Sequence, residues 1–218
     1  MRLRYVLLIT SLLFVGCSFK TDNRYKYRVD ASNSFDSFKK YYLQGKTRLA
    51  SVELKRALQS AKEGSDINSI AKIYLGECAL HKAMLIDDNC SEYLQIKELV
   101  SDKDLENYYL FITGKFQKLD TSLLPKSYRD FANYLKRKNF DAATKALFEI
   151  KNSDSKIIAA SLIKRRLSRD DIKKIIDISS AMGYKKVTTR WYNLLKTKST
   201  DKQKRVIDKK LMLFKKHF

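Results

Sequence analysis

The amino-acid sequence predicts an all-α protein of stacked antiparallel helix pairs, an α-solenoid, with a basic three-helix C-terminal end. Glycine and proline are scarce, with six and one in 218 residues, so the chain lacks the regularly spaced turns of sheet-rich proteins. Apolar residues instead recur at steps of three and four, which places them on one face of a helix. A hydrophobic content of 44% beside 32% charged residues indicates a folded body with a core.

The first seventeen residues have the order of a secretory signal. A positively charged start, Met1–Arg4, precedes the uncharged stretch 5–15, which is shorter than the roughly 18 apolar residues of a membrane helix. The segment Phe14-Val15-Gly16-Cys17 resembles the lipobox of bacterial lipoproteins, with phenylalanine where leucine is usual. In that family the cysteine is acylated, for example with palmitate, and becomes the new N-terminus. The resemblance implies a signal peptide over 1–16 and a lipid on Cys17 that anchors the exported chain to a bacterial membrane, inner or outer.

The stretch that follows the cysteine predicts a tether. Residues 18–34 are polar and charged without apolar periodicity, which is typical of a flexible linker. We therefore interpret 17–34 as the lipidated cysteine and a flexible tether. Tyr25 and Tyr27 give an alternative, in which this stretch docks on the folded body.

Helical periodicity begins at Phe35 and continues to the end of the chain. Glycines end predicted helices at three places, and Asp66 and Ser168 are suitable N-caps. We divide the body into a helical-repeat-like domain, 35–167, and a basic C-terminal helical subdomain, 168–218. Helices are predicted to begin near residues 35, 49, 67, 93, 104, 127, 140, 155, 169, 184 and 200.

Two stretches resemble each other at an offset of 93 residues. The matched pairs are Phe38 and Phe131, Tyr41 and Tyr134, Ala50 and Ala143, Leu54 and Leu147, and Ala57 and Ile150. Their spacing resembles tetratricopeptide repeats, in which aromatic residues of one helix pack on a small residue that opens the next. The resemblance implies a stacked surface that binds another protein. The chain lacks that family's Trp-Leu-Gly start and closing proline, so a generic stack of helical hairpins is an equal alternative.

Positive charge is concentrated at the C-terminal end. The net charge is +21, and residues 164–218 hold 18 Lys and Arg against five Asp and Glu, a balance of +13. Such a field attracts anions such as acidic lipid or an anionic polymer. The candidate polyanion-binding residues are Lys185, Lys186, Arg190, Lys202, Lys204, Arg205, Lys209 and Lys210.

The last helix carries an apolar stripe of Ile207, Leu211, Phe214 and Phe218. We interpret this stripe as packing on a neighbouring helix. The alternative is a helix that lies on an anionic membrane surface. Trp191 is likewise interpreted as a core residue, with stacking on a base or a sugar ring as the alternative.

The sequence offers little catalytic or ligand-binding chemistry. Only two histidines occur and the six glycines stand alone, so neither a nucleophilic triad nor a phosphate-binding loop is predicted. Cys78 and His81 share a helix face, but a structural zinc site needs four ligands. We therefore interpret His81 as a core or boundary residue and predict no catalytic residue, cofactor or metal.

Whether Cys78 and Cys90 are bridged is left open by the sequence: an exported compartment permits a disulfide, but the helix geometry favours unbridged cysteines. If the helix that carries Cys78 ran to Leu85, the cysteine would lie about 10 Å below the helix end. A disulfide needs Cα atoms within about 7 Å of each other. The two cysteines are interpreted as small buried apolar residues.

Together these observations favour a lipid-anchored, non-catalytic scaffold or adaptor that binds another envelope protein. One alternative is a surface lipoprotein that binds a polyanion or a host ligand through its basic end. A second alternative is an enzyme that acts on cell-wall material through a helix-borne glutamate. Nucleic acid is disfavoured as a partner, because the export signal removes the chain from the cytoplasm.

Overall fold

The chain folds into α-helices that are joined mostly by short turns, and by a longer segment before residue 129 that contains the 3-10 helices Phe116–Lys118, Thr121–Leu123 and Lys126–Tyr128; a further 3-10 helix is Lys97–Leu99. A computed structural model describes residues 25–215, and Cys17 with the predicted signal peptide lies outside this range. The described residues form eleven α-helices and no strand, which confirms the predicted all-α stack of helix pairs. The helices are α1 (Lys26–Gln44), α2 (Thr47–Glu63), α3 (Ile67–Ala83), α4 (Ser91–Ile96), α5 (Lys103–Ile112), α6 (Arg129–Lys136), α7 (Phe140–Glu149), α8 (Ser153–Leu162), α9 (Arg169–Ala181), α10 (Lys185–Thr197) and α11 (Asp201–Lys215).

Four helix pairs are joined by the same tight turn. In each, one residue is left-handed, with φ between 49° and 89°. The N–H of the next residue bonds to the carbonyl five residues earlier, as in the Schellman arrangement of helix ends. Such a turn reverses the chain at once and makes the two helices antiparallel. The left-handed residues are Gly45 (α1–α2), Ser65 (α2–α3), Lys138 (α6–α7) and Gly183 (α9–α10).

The repeat at an offset of 93 residues corresponds to two of these pairs, α1–α2 and α6–α7. Ala50 in α2 and Ala143 in α7 are 1% and 0% exposed, and Phe38 and Phe131 are buried on the preceding helices. Small side chains at these positions let the two helices of each pair lie close together. The matched residues therefore occupy equivalent places in two helical hairpins.

A third copy lies 45 residues after the second, in α9–α10. Thr188 takes the place of Ala143, and Ser179 takes the place of Tyr134. Both are buried, and their hydroxyl oxygens are hydrogen-bonded at 2.9 Å. The sequence pattern did not reveal this copy, because hydroxyl side chains replace the aromatic and alanine residues that defined the other two.

The predicted tether is wrong for residues 26–34, which form the first half of α1. The polar side chains of this stretch face outward, while Ala31 is buried and the ring of Tyr27 lies against Gly64. Tyr27 donates a hydrogen bond to the Asp66 carboxylate at 3.3 Å. The alternative of docking is thus confirmed for Tyr27.

Asp66 links α1 to the start of α3. Its carboxylate accepts hydrogen bonds from the Ser69 N–H at 3.0 Å, the Ser69 hydroxyl at 2.9 Å and the Arg28 guanidinium at 2.7 Å. Burial alone would raise the pKa of Asp66, but these donors outweigh it and hold the pKa below its ordinary value. Its contribution to stability is therefore complete above the unfolded-state pKa of about 3.9 and is lost as the pH falls through the folded-state pKa.

Replacing Asp66 should reveal this pH dependence. We expect Asp66→Ala to lower the free energy of unfolding by about 1 kcal/mol at neutral pH, the usual cost of a lost N-cap, and by less in acid. Urea unfolding at a series of pH values measures both quantities. Asp87→Ala is the control, because the side chain of Asp87 is 95% exposed. A loss that stays the same down to strongly acidic pH would contradict the assignment.

The structure answers the open question of Cys78 and Cys90 against the favoured alternative, because the two cysteines are bridged. α3 ends at Ala83, and left-handed Leu85, with φ of 58°, turns the chain back. The Cα atoms of Cys78 and Cys90 are 5.3 Å apart, and their sulfur atoms are bonded. The estimate from a straight helix failed because residues 84–89 return along α3 instead of continuing away from it.

The C-terminal helices pack against the start of the body. α10 contacts α1, and the indole N–H of Trp191 in α10 donates to the carbonyl of Ala83, at the end of α3, at 3.0 Å. One core extends from Phe38 in α1 to Leu211 in α11. The residues assigned to 168–218 therefore share their core with those assigned to 35–167.

Candidate functional site

A groove of about 790 Å³ lies between α6 and α7. Phe131 and Ile150 line it from the buried side, with 1% and 3% of their surface exposed, and Tyr134 stands beside them with 36% exposed. On α7 the facing residues are Ala142 and Ala146, whose small side chains leave space above the floor. The result is an apolar groove along one face of a helical hairpin.

Charged residues of both signs surround this groove. Lys126, Lys145 and Lys151 are exposed on its rim together with Asp130 and Glu149. Within residues 25–215, none of the five forms an ion pair. Apolar surface bordered by charges of both signs suits a segment of another protein. The two carboxylates make the groove less suited to a polyanion than a rim of lysines alone would be.

The same face of the α9–α10 hairpin is covered by the protein itself. The positions 45 residues after Ala142 and Ala146 are Val187 and Trp191, both 0% exposed. Trp191 fills the space that is open beside α7 and reaches the end of α3. In the α9–α10 hairpin this face packs against other helices of the protein. The equivalent face of the α6–α7 hairpin is therefore uncovered.

No family model, curated protein or solved structure matches this chain. The sequence analysis predicted none of the residues that line the α6–α7 groove as partner-binding. The sequence feature that could have indicated the groove is the pair of small residues, Ala142 and Ala146, on one face of α7. Within residues 25–215, no helix combines the length and apolar character needed to cross a membrane.

The predicted polyanion-binding residues lie in two separate groups. On α10, Lys186 places its ammonium 4.9 Å from the ring of Tyr42 in α1, and burial together with nearby Arg190 lowers the pKa of Lys186. Lys185 lines a different, small cavity beside Phe214. The α10 group therefore faces the protein body as much as the solvent.

The second group follows the outer face of α11. Lys202, Arg205, Lys209 and Lys210 are exposed there, whereas Lys204 is paired with Asp201 at 2.9 Å. These four cations are available to an external anion, and polyanion binding by the eight predicted residues stays a prediction.

The apolar stripe of the last helix packs inward. Ile207 and Leu211 are buried, and the ring centroids of Phe214 and Tyr192 are 5.9 Å apart. Phe218 lies outside the described residues. Helix packing is thus confirmed for the described part of the stripe, and Trp191 is a core residue.

His81 is a boundary residue, as predicted. Its Nδ1 contacts the carboxylate of Asp88, and its ring lies 5.5 Å from that of Tyr42. Cys78 is bridged to Cys90, so it offers no free thiolate beside His81. Among the described residues, no group of three or more His, Cys, Asp and Glu side chains is placed to hold a metal ion.

Burial, with a smaller effect of Glu77, raises the pKa of Tyr42 to about 12, so its hydroxyl stays protonated.

Proposed function

We propose that this protein is a non-catalytic scaffold of the bacterial envelope that binds a helical segment of a partner protein in the α6–α7 groove. The lipobox-like segment ending at Cys17 supports attachment to a membrane through an acyl chain. The stack of helical hairpins supports a binding role, because such stacks present extended surfaces to other proteins.

The observation that carries this proposal is the uncovered hairpin face. In α9–α10 the equivalent face is occupied by Trp191 and packs against α1 and the end of α3. In α6–α7 it has an apolar floor, two alanines and five charged residues that form no ion pair with any residue from 25 to 215. A helix of another protein fits the place that the protein's own helices take in α9–α10.

Site-specific photocrosslinking tests this proposal. A photoreactive phenylalanine analogue at Tyr134 of the full chain, in cells of the native host, should give a discrete crosslink to one envelope protein. Ala146→Trp gives α7 the side chain that α10 carries at the equivalent position. It should therefore fill the groove and reduce the crosslink about tenfold or more, because overfilled interfaces lose complementarity.

Two controls separate the groove from the anchor. Ala181→Trp adds the same side chain at an exposed site on α9 and should leave the crosslink unchanged. Cys17→Ala should abolish incorporation of labelled fatty acid and release the protein from the membrane fraction. Crosslinking that survives Ala146→Trp, in a variant with wild-type unfolding behaviour, would refute the groove as the binding site.

A further inference from the structure

A second cavity, of about 610 Å³, lies between α9, α10 and α11. It is separate from the α6–α7 groove. Ile176 from α9, Leu195 from α10 and Ile207 from α11 supply its apolar floor, and all three are buried. We refer to it as the α11 cleft. Its volume falls within the usual range of small-molecule sites, about 300–1,000 Å³.

Cations dominate the rim of the α11 cleft. Arg169, Lys173, Lys202 and Lys210 line it, against Asp177 as the one lining carboxylate. Lys202 and Lys210 form no ion pair within residues 25–215, although the ammonium of Lys210 lies 5.7 Å from the ring of Tyr192.

Arg169 adds a donor that the protein leaves unused. Its Nη1 donates to the side-chain oxygen of Gln203, but its Nε is buried and has no hydrogen-bond partner in the part of the chain that the structure describes. Buried donors are normally satisfied, because an unsatisfied one loses the hydrogen bonds that water would make. An acceptor atom of a bound anion at this end of the cleft would satisfy it.

The cleft opens onto an exposed apolar surface of α11. Val206 lines the cleft and is 53% exposed, and Leu213, two turns further along the same side of the helix, is 63% exposed. Exposed aliphatic side chains beside cations are typical of surfaces that meet lipid. Lys202 and Lys210 each lie four residues from Val206, so this apolar edge of the cleft, which we call the lip, has a cation on either side.

We propose that the α11 cleft binds an anionic amphiphile, a carboxylate or phosphate head group attached to an alkyl chain. The head group lies beside Arg169 and Lys202, where the unpaired donors are. The alkyl chain covers Ile176, Leu195 and Ile207 and leaves the cleft past Val206. A membrane lipid and a free fatty acid share this chemistry.

Calorimetric titration of dodecyl phosphate into the full chain tests the proposal. All proteins carry Cys17→Ser, so that no attached acyl chain occupies the cleft. The double variant Lys202→Glu/Lys210→Glu should weaken binding about tenfold or more, because it reverses both charges at the lip. Val206→Trp, at an exposed position, should block the cleft and give a similar loss without disturbing the core.

The matched control is Arg205→Glu/Lys209→Glu. These cations have the same spacing on α11 and are exposed, but they do not line the cleft. The control should weaken binding less than about twofold in physiological salt, because it removes only screened, long-range attraction.

Three results would overturn the proposal. They are equal losses in the two double variants, equally tight binding of the uncharged dodecyl maltoside, and displacement of dodecyl phosphate by inorganic phosphate at similar concentration. Vesicles then distinguish the sources of the ligand. Displacement by phosphatidylglycerol vesicles but not by phosphatidylcholine vesicles would support a membrane lipid, and displacement by laurate alone would support a free fatty acid.

Discussion

Replacing Trp191 by alanine is expected to lower the free energy of unfolding by about 3–5 kcal/mol, the range for deleting a large buried side chain. Trp191 is 0% exposed and belongs to α10, which contacts α1. Its indole N–H also holds the carbonyl of Ala83 at the end of α3. The substitution therefore removes a large apolar surface and leaves an acceptor without its partner at the junction of three helices.

Trp191→Phe separates these two contributions. It keeps an aromatic ring but loses the donor, so the loss should be smaller, about 1–3 kcal/mol with the cost of the unsatisfied carbonyl. Tyr192→Phe is the control on the neighbouring, half-buried residue and should change little. Urea unfolding followed by far-UV circular dichroism suits all variants, because Trp191 is the chain's single tryptophan and its fluorescence is lost with it. An unfolding midpoint of Trp191→Ala equal to that of the native chain would contradict this account of the core.

Loss of the Cys78–Cys90 disulfide is expected to cost about 3 kcal/mol, the chain-entropy estimate for a loop of this size. The bridge closes a sequence separation of 12 residues, and both cysteines are buried. It also fixes the loop that carries Asp88, whose carboxylate accepts the Cys90 N–H at 2.7 Å and contacts His81. Without the bridge, this loop keeps these polar contacts and the apolar packing of Met84, Leu85 and Ile86 against the core.

Equilibrium unfolding with and without reductant measures this effect. In a Cys17→Ser background, a reductant should lower the stability of the native pair to that of Cys78→Ala/Cys90→Ala. The double variant itself should not respond to the reductant. If the reductant leaves the native midpoint in place after full equilibration, the bridge does not contribute as stated.

Local sequence signals predicted most of the helices, because apolar spacing and capping residues act within a few positions. Gly45 and Gly183 end helices where the sequence placed the breaks, and Asp66 and Ser168 cap the helices that follow. The first half of α1 was missed for the opposite reason. Residues 26–34 bury little apolar surface, and their helix depends on contacts with Gly64 and Asp66, which are distant in sequence.

The features that define the candidate sites were not predictable in the same way. The groove beside Ala142 and Ala146 is visible only by comparison with α9–α10, where Val187 and Trp191 occupy the equivalent positions. That copy was hidden, since Ser179 and Thr188 preserve the packing with different side chains. The disulfide likewise depended on the direction of a loop, which helix periodicity does not specify.

The contact between α1 and α10 has a consequence for the order of folding. Tyr42 and Lys186 meet at 4.9 Å although most of the chain lies between them. A chain exported from its N-terminal end delivers α1 first and α10 near the end, and long-range contacts form only after the intervening chain is present. In the proposed lipid-anchored form, α1 is thus the first helix to arrive, and its side toward α10 is among the last surfaces to be covered. Until then the Tyr42 ring lacks its contact with Lys186, and in the proposed envelope location a chaperone or a second copy of the chain can reach that side of α1.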